Sequence, residues 1–489
     1  MNDPESHDSI VVADQEASAH LDLYALPKAA IQDPPGSLLK ALGQIGPGLI
    51  LAGSIVGTGE LIATTKLGAS QGYVLLWMIV LFCVIKVALQ VELGRYAITH
   101  GKTTLAAFDT LPGPRLGTSW MGWLWLIMML ATQAQIAAME GLVGQAAVMA
   151  FPRVVDARWG PYLASHPDYV WATWTTLAAI LLLISGGYRR LEKITTVLVA
   201  GVTAVTIACV VGLPWTGPGT DFSLASVARG LRFALPAGGA ALAFATFGIT
   251  GVGASELFAY PYWCIEKGYA RAAGRRTPDD AWARRARGWL TVMKLDVWFS
   301  MVVYTLATVA FYILGAATLH PRGIVPEGPG MLKALSVMYT SLGPWTTPVF
   351  LVGAWAVLFK TLYVATAANS RLTADFLDLA RIWPQRGPKA RERTTRLFCV
   401  LYPALSLVLY LVVRAPGQLV TYGGYAQGLM LPLIAWATLY LRYRDADRRV
   451  APSWLSDAFT WASSLVIGLV ALYSILHDLL RIDPFHWLR

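Results

Sequence analysis

The sequence predicts an all-α polytopic membrane protein built as a 5+5 inverted repeat, with about eleven transmembrane helices of which the first and sixth are broken. The composition is the first observation behind this prediction. Of 489 residues, 56% are hydrophobic and only 14% are charged, and the mean hydropathy is +0.52. The second is a series of long apolar segments. The third is that two of these segments carry the same interruption, at Glu60 and at Glu256.

The first interruption lies in the apolar segment 45–67, which is long enough to cross a bilayer. Gly53, Gly57 and Gly59 stand at its centre, and Glu60 follows at once. Because glycine lowers helix stability, the helix can break here, and broken backbone in lipid needs internal partners or a water-lined cavity. A glutamate at membrane depth is costly and usually marks a binding site or a pathway.

The second interruption repeats the first about 196 residues later, in the apolar segment 234–265. Gly57-x-x-Glu60-Leu61 and Gly253-x-x-Glu256-Leu257 are the same pattern, and both are followed at the same offset by Gly-Tyr. Interrupted segments at matching places in two halves are typical of an inverted-repeat transporter whose binding site lies at the midplane of the membrane.

The remaining elements follow from the apolar segments in order. The polar and acidic stretch 1–43 lacks an apolar leader and is predicted to be a disordered cytoplasmic tail. Spans are predicted at 45–67, 73–98, 120–151, 170–185, 194–213, 234–265, 295–319, 344–368, 397–413, 419–441 and 458–479. They divide the chain into a first repeat at 44–215, a second repeat at 216–443, and an eleventh span with the C-terminus at 444–489.

Lysine and arginine are concentrated in every second loop, notably in 186–193, 265–294, 371–396 and 442–449. By the positive-inside rule the N-terminus is cytoplasmic and the C-terminus external, in a multi-pass protein that we assign to a bacterial inner (plasma) membrane. The net charge of +10 is therefore explained by topology and contact with the lipid bilayer, and no nucleic-acid partner is expected.

The cysteines and histidines form no pattern that indicates catalysis. The four cysteines lie in or beside apolar segments, without the spacing of metal ligands or of a disulfide framework. The seven histidines fall outside the span centres, and no Ser/His/Asp constellation is evident. An enzyme is therefore not expected, and neither is a cofactor other than a metal carried as substrate.

Three stretches occur in an order that resembles the Nramp family of divalent-metal transporters. Gly46-Pro47-Gly48-Leu49 is similar to the opening of that family's first helix, the stretch 75–101 to its second helix, and 188–193 to its turn into the fifth. The resemblance covers most of the membrane part. It implies a LeuT-like fold and a divalent metal ion as partner.

The site motifs depart from those of the family. Its Asp-Pro-Gly-Asn falls on Gly57-Thr58-Gly59-Glu60, and its Met-Pro-His-Asn on Gly253-Ala254-Ser255-Glu256. Its third-helix acids fall on Gln135 and Ala138, and its second sixth-helix histidine on Tyr260, so coupling by the family's proton route is not expected. The chain is more similar to the magnesium-transporting relatives, which are described as having altered sites without proton coupling.

The residues themselves predict an all-oxygen site between the two breaks. Glu60 and Glu256 would face each other as the metal ligands, and the small residues would leave room for a cation that keeps some waters. Oxygen ligands suit hard cations such as Mg²⁺, Mn²⁺ or Ca²⁺, so the leading function is a secondary transporter or facilitator of a divalent cation. The predicted substrate-binding residues are Gly57, Thr58, Glu60, Gly253, Ser255 and Glu256.

Lys360 leaves a second function open, because a lysine deep in a span needs a carboxylate or a wet cavity. If it reaches Glu60 or Glu256, the site suits a small organic solute such as an amino acid or amine, moved by a LeuT-like carrier. Lys86 raises the same question more weakly. Tyr260 and Gln427 are further candidates for the site or for a counter-ion role.

Each group also has a structural interpretation. Glu60 and Glu256 could form an ion pair or cap the broken helices, and Lys360 could be a structural counter-ion. Asp296 lies near the end of its span and is interpreted as a solvated or capping residue. The adjacent glycines at 423 and 424 are interpreted as allowing close helix packing.

Overall fold

The protein is a bundle of helices, seen here in a computed structural model. The structure describes residues 26, 28–48, 55, 57–185, 188–215, 220–234, 238–340, 343, 345–385, 387–445 and 447–479. The predicted N-terminal tail, 1–43, lies partly outside these residues; within it the structure describes 26 and 28–43, which include a 3₁₀ turn at Lys28–Ala30 and a short helix at Leu38–Leu42.

The helices of the first half alternate long membrane-length segments with short connecting ones. They are α1 (Leu38–Leu42), a π-helix (Thr58–Thr64) continued by α2 (Thr65–Gln71), α3 (Leu76–His100), α4 (Thr104–Phe108), α5 (Trp120–Ala150), α6 (Pro161–Ser165), α7 (Pro167–Ser185) and α8 (Tyr188–Gly212). A two-residue antiparallel ribbon, β1 (Arg115–Leu116) with β2 (Thr118–Ser119), precedes α5 and pairs Arg115 with Ser119.

The second half follows the same plan. It contains α9 (Leu224–Gly230), α10 (Ala240–Ile249), α11 (Ala254–Lys267), α12 (Tyr269–Ala273), α13 (Asp280–Leu314) with a π-helical end (Gly315–Leu319), α14 (Met331–Val337), α15 (Thr346–Leu379), α16 (Pro388–Val413), α17 (Pro416–Asp445) and α18 (Trp454–Ser474) with a π-helical end (Ile475–Leu479). Short 3₁₀ turns lie at Lys28–Ala30, Ala157–Trp159, Leu213–Trp215, His320–Arg322, Gly328–Gly330 and Arg448–Val450.

Nine helical segments of the described chain are long and apolar enough to cross a membrane. They correspond to the predicted second to ninth spans and the eleventh. The first predicted span includes residues outside the described ones. The tenth corresponds to α17, whose 30 residues give a length of about 45 Å, but whose glycines and polar residues lower its mean hydropathy.

The sixth span is broken where the sequence predicts it. The helix α10 ends at Ile249, Thr250 is extended, and Gly251 has a φ of 62°, in the left-handed region that glycine tolerates. Gly253 is extended and is the N-cap residue that precedes α11. The break therefore spans four residues, which leaves the last carbonyls of α10 and the first amides of α11 without partners in their own helices.

Two basic segments that the sequence predicts as loops are largely helical. Most of 265–294 belongs to α12 and to the first turns of α13, because the carboxylate of Asp279 accepts a 2.8 Å hydrogen bond from the Trp282 amide and caps the helix. With 35 residues, α13 is about 52 Å long and extends well beyond a hydrocarbon core of about 30 Å. The segment 371–396 is likewise shared between α15 and α16.

The two halves interlock through α5, which packs against α7 of the first half and against α15, α16 and α17 of the second. The helices α10 and α17 cross with their backbones in close contact. A Cβ at Gly248 would overlap the carbonyl oxygen of Gly424 and lie 2.6 Å from the amide nitrogen of Gly428. Small residues thus set this crossing, as they do in many membrane bundles.

We expect Gly248→Ala to lower the thermal stability of the protein, because a methyl group cannot enter this crossing without separating α10 from α17. Overpacking of this kind costs about 1–3 kcal/mol. Fluorescence-detected size-exclusion chromatography after heating measures the loss. Gly468→Ala is the matched control, since its added Cβ meets no atom within 4 Å and alanine favours the helix. If both variants unfold at the same temperature, the close crossing of α10 and α17 does not contribute to stability.

Candidate functional site

The π-helix that follows the first predicted break packs against α10, which ends at the break of the sixth span, while 49–54 and 56 lie outside the described residues. A Cβ on Gly59 would lie 2.8 Å from the carbonyl oxygen of Ile249, the last residue of α10. The first broken segment can therefore approach the second only because residue 59 has no side chain. This contact places Gly59 of the first glycine-x-x-glutamate pattern against the end of α10, four residues before Gly253.

Glu60 lies on the π-helix and is fully buried. Its Oε1 accepts a 3.0 Å hydrogen bond from the Gly251 amide, in the break of the sixth span, and a 3.1 Å bond from the Thr308 hydroxyl of α13. Its Oε2 has no hydrogen-bond partner among the described residues. The carboxylate therefore joins the first segment to the second break and to α13.

Lys86 approaches the same break from α3 and is also fully buried. Its ammonium donates a 2.8 Å hydrogen bond to the carbonyl of Phe247 and a second one to the carbonyl of Thr250. The Phe247 ring lies 5.3 Å from Nζ, and both Glu60 and Glu256 interact electrostatically with the ammonium. This lysine supplies the positive charge beside the two glutamates.

A cavity of about 50 Å³ opens on another side of the breaks. This volume accommodates about three to five water molecules. Polar atoms at one end come from Glu256, Ser255 and Gln427, while Glu60 is not among the described residues that line it. The lining comprises Ile55, Gly59, Thr132, Gln135, Ile136, Met139, Ile249, Ser255, Glu256, Ala259, Trp263, Thr361, Val364, Ala365, Ala368, Asn369 and Gln427.

Gln427 of α17 orders the polar end of the cavity. Its Oε1 accepts a 2.9 Å hydrogen bond from the Ser255 amide, which is one of the free amides at the start of α11. Its Nε2 donates a 3.1 Å bond to Oε1 of Gln135 on α5. Three separate helices thus hold this end in place.

Gly57 and Gly253 allow neighbouring atoms to pack closely against the backbone, and they do not leave empty space for a ligand. A Cβ on Gly57 would overlap the hydroxyl of Thr361. A Cβ on Gly253 would lie 2.6 Å from Glu256 Oε2, 2.8 Å from Gln427 Oε1 and 2.9 Å from the Gly248 carbonyl oxygen. The glycine at 253 therefore lets three oxygens of different chemistry converge. The side chain of Thr58 lies outside the described part of the structure.

The other candidate residues lie away from the cavity lining. Lys360 Nζ donates a 3.0 Å hydrogen bond to the Thr196 hydroxyl of α8. Tyr260 donates a 3.4 Å bond to Oδ2 of Asp296. Asp296 is buried and accepts bonds from the Gly46 amide at 3.0 Å and the Gly48 amide at 2.6 Å, so it caps the start of the first broken segment.

The sequence reasoning missed the contribution of α15 to the cavity. Thr361, Ala365 and Asn369 are spaced four residues apart, so that they share one face of the helix, and all three line the cavity. Two polar residues at positions i and i+8 of an apolar span are the signal that could have identified this face.

The described residues around the cavity offer a metal ion only a few ligand atoms, most of them oxygens. Among the described residues, no group of three or more histidine, cysteine, aspartate or glutamate side chains is placed to hold a metal ion. A cation in the cavity would therefore use Glu256 together with amide, hydroxyl and carbonyl oxygens, and would keep part of its water.

Comparison with known proteins gives a family and a fold. A sequence model of the Nramp family, described as natural resistance-associated macrophage protein-like, matches residues 48–477. No curated protein sequence matches significantly.

Among solved structures, a point mutant of the Eremococcus coleocola manganese transporter superposes with a TM-score of 0.60 at 17% identity, covering 91% of this chain and 89% of that one. The same transporter in complex with an aromatic bis-isothiourea substituted compound gives a TM-score of 0.57 with the same identity and coverage. MhsT in complex with L-phenylalanine gives 0.52 at 14% identity, covering 90% of this chain and all of that one. These similarities confirm the LeuT-like fold of an integral, multi-pass membrane protein.

We expect Glu60→Gln to keep the thermal stability of the protein and Glu60→Leu to lower it. The amide oxygen of glutamine can still accept the Gly251 hydrogen bond, whereas leucine leaves this buried amide without a partner at a cost of about 1–3 kcal/mol. Thermal unfolding of the two purified variants measures the difference. If the leucine variant unfolds at the same temperature as the glutamine variant, the bond does not hold the break.

Proposed function

The chain belongs to the Nramp family, and from that premise we propose that it moves a divalent metal cation across the membrane by alternating access. The observation that carries the proposal is the convergence of Glu256 Oε2, Gln427 Oε1 and the Gly248 carbonyl beside Gly253. A carboxylate, an amide oxygen and a backbone carbonyl are the donors that hard cations prefer. The structural relatives named as manganese transporters support the same class of substrate.

We infer a preference for hard cations such as Mg²⁺ or Mn²⁺. The oxygens at the helix break support this preference, and the cavity has room for a cation that keeps some of its water. Met139 adds one thioether to the lining. For this reason Mn²⁺, which is softer than Mg²⁺ or Ca²⁺, belongs in the same experiment.

We also infer that transport proceeds without the family's proton route. Gln135 and Tyr260, on which that route's residues fall, are engaged in hydrogen bonds with Gln427 and with Asp296. Neither a glutamine nor a tyrosine in such a bond exchanges protons readily near neutral pH.

The second candidate is a carrier of a small organic solute. Lys86 offsets one of the two glutamate charges near the break, and most of the cavity lining is apolar. The fold is also that of MhsT, which was solved with L-phenylalanine. The experiment on transport therefore includes amino acids and amines beside the metal ions.

We propose that the N-terminus is cytoplasmic and the C-terminus external, as the positive-inside rule predicts. Contacts between the basic segments support this orientation, because they place these segments on one side. Arg449 donates to the carbonyls of Pro278 and Asp279, and Arg276 contacts Asp447 at 3.0 Å.

Arg448→Cys tests the orientation, since the four native cysteines are buried. We expect a membrane-impermeant thiol reagent to label this variant in inverted vesicles but not in intact cells. The unsubstituted protein is the control for background labelling. Labelling in intact cells alone would reverse the proposed topology.

We expect proteoliposomes containing the protein to take up Mg²⁺, Mn²⁺ or Ca²⁺ without acidification of the lumen, as reported by an enclosed pH dye. Glu256→Gln should lower the apparent affinity by about tenfold or more, because it removes the one charged side chain among the described residues that line the cavity. Glu60→Gln should have the smaller effect on affinity. Glu392→Gln, which alters an exposed pair with Arg396, is the matched control.

Correctly inserted protein that moves none of the three cations would contradict the proposal. Uptake of amino acids or amines under the same conditions would then establish the second candidate. Cation uptake accompanied by acidification would leave the substrate class standing and overturn the inference about protons.

A further inference from the structure

Lys86 occupies a place in the fold where free cations bind in related architectures. The helix α10 ends in the middle of the membrane, and its last carbonyls carry the negative end of the helix dipole. In transporters with broken helices, such carbonyls and the unwound residues beyond them coordinate coupling cations. Here the ammonium of Lys86 donates to the carbonyls of Phe247 and Thr250, which stand at that end.

The surroundings of Lys86 are those of a cation site and not of a surface lysine. The side chain is fully buried at the centre of α3, one of the nine membrane-length segments among the described residues. A buried charge of this kind is costly unless carbonyls, rings or opposite charges compensate it. All three are present, as the two carbonyls, the Phe247 ring and the neighbouring Glu60 and Glu256.

Positive and negative side chains lie at opposite ends of the break, the lysine at the free carbonyls and the glutamates near the free amides. Lys86 holds the carbonyl end of α10, while Glu60 accepts the amide of Gly251 in the break. Glu256 lies in the first turn of α11, where the helix dipole favours a negative charge. Removal of Lys86 would leave the carbonyls of Phe247 and Thr250 without this donor, and the two glutamates without the ammonium that interacts with them.

We propose that the Lys86 ammonium is a tethered substitute for a coupling cation. It fills the monovalent-cation position at the carbonyl end of α10. The protein then needs no free Na⁺ or K⁺ at this position. For its consequence in transport the inference rests on the proposed function, because it explains how a divalent ion could move without a monovalent partner. The placement of the cation itself is independent of the substrate and can be tested without transport.

The test is thermal unfolding of purified Lys86→Ala in NaCl, KCl, methylammonium chloride and choline chloride at equal ionic strength. We expect this variant to unfold several degrees below the parent in choline and to recover with one of the small cations. The parent should unfold at one temperature in all four salts. Lys66→Ala is the matched control: its ammonium contacts the exposed carboxylate of Glu327 at 2.6 Å, which water can solvate, so no small cation should restore this variant selectively.

A Lys86→Ala protein that is as stable as the parent in choline, and indifferent to the salt, would overturn the proposal. If this variant does not fold, Lys86→Arg and Lys86→Met decide. Folding of the arginine variant alone supports a required cation. Equal folding of both, or of neither, overturns the proposal.

Transport by Lys86→Ala supplies the second measurement. Uptake of the divalent cation should become dependent on the same small cation that restores stability, by about tenfold between choline and that salt. If the parent carries no divalent cation, the proposed function fails, yet the salt dependence of unfolding still decides the role of Lys86. A third outcome is that a small cation restores the stability of Lys86→Ala but transport by the parent depends on Na⁺. Lys86 would then have a structural role only, and the inference that it replaces a coupling cation would be overturned.

Discussion

The structure depends on satisfying the backbone of a helix that is broken inside the membrane. Between Ile249 and Gly253 the chain leaves helical geometry, and no bulk water is available there for the freed amides and carbonyls. The carboxylate of Glu60 accepts from the amide of Gly251, and the ammonium of Lys86 donates to the carbonyls of Phe247 and Thr250. Two charged side chains from two neighbouring segments thus replace the missing helical hydrogen bonds.

This arrangement gives the two matching glutamates different roles. Glu60 is turned toward α13 and the break, where Thr308 and Gly251 hold its Oε1, and it does not enter the cavity lining of the described residues. Glu256 lines the cavity beside Ser255 and Gln427. The two carboxylates of the repeat are therefore not placed alike: Glu60 accepts hydrogen bonds at the break, and Glu256 lines the cavity.

Glycines permit the close contacts on which this geometry rests. Gly59 lies against the end of α10, Gly57 against Thr361, and Gly248 against Gly424 of α17. Each contact would be closed to a residue with a Cβ. In a membrane, where lipid is as apolar as the helix surface, such close packing is a main source of helix association. The same glycines that lower helix stability therefore allow the broken segments to pack against their neighbours.

The sequence alone predicted the fold, the break in the sixth span and the family, and nine of its predicted spans correspond to membrane-length helices among the described residues. These features could be predicted because hydropathy, glycine content and motif order are local properties of the chain. The sequence also identified Glu256, Ser255 and Gln427, which the structure brings together. It could not determine helix rotation or crossing, which follow from packing between distant residues. Only the tertiary structure shows that Lys86 donates to the carbonyls of Phe247 and Thr250 while Lys360 donates to Thr196. Both lysines lie in apolar spans, so burial is evident in the sequence, but the partner of each depends on which helix face the neighbours cover.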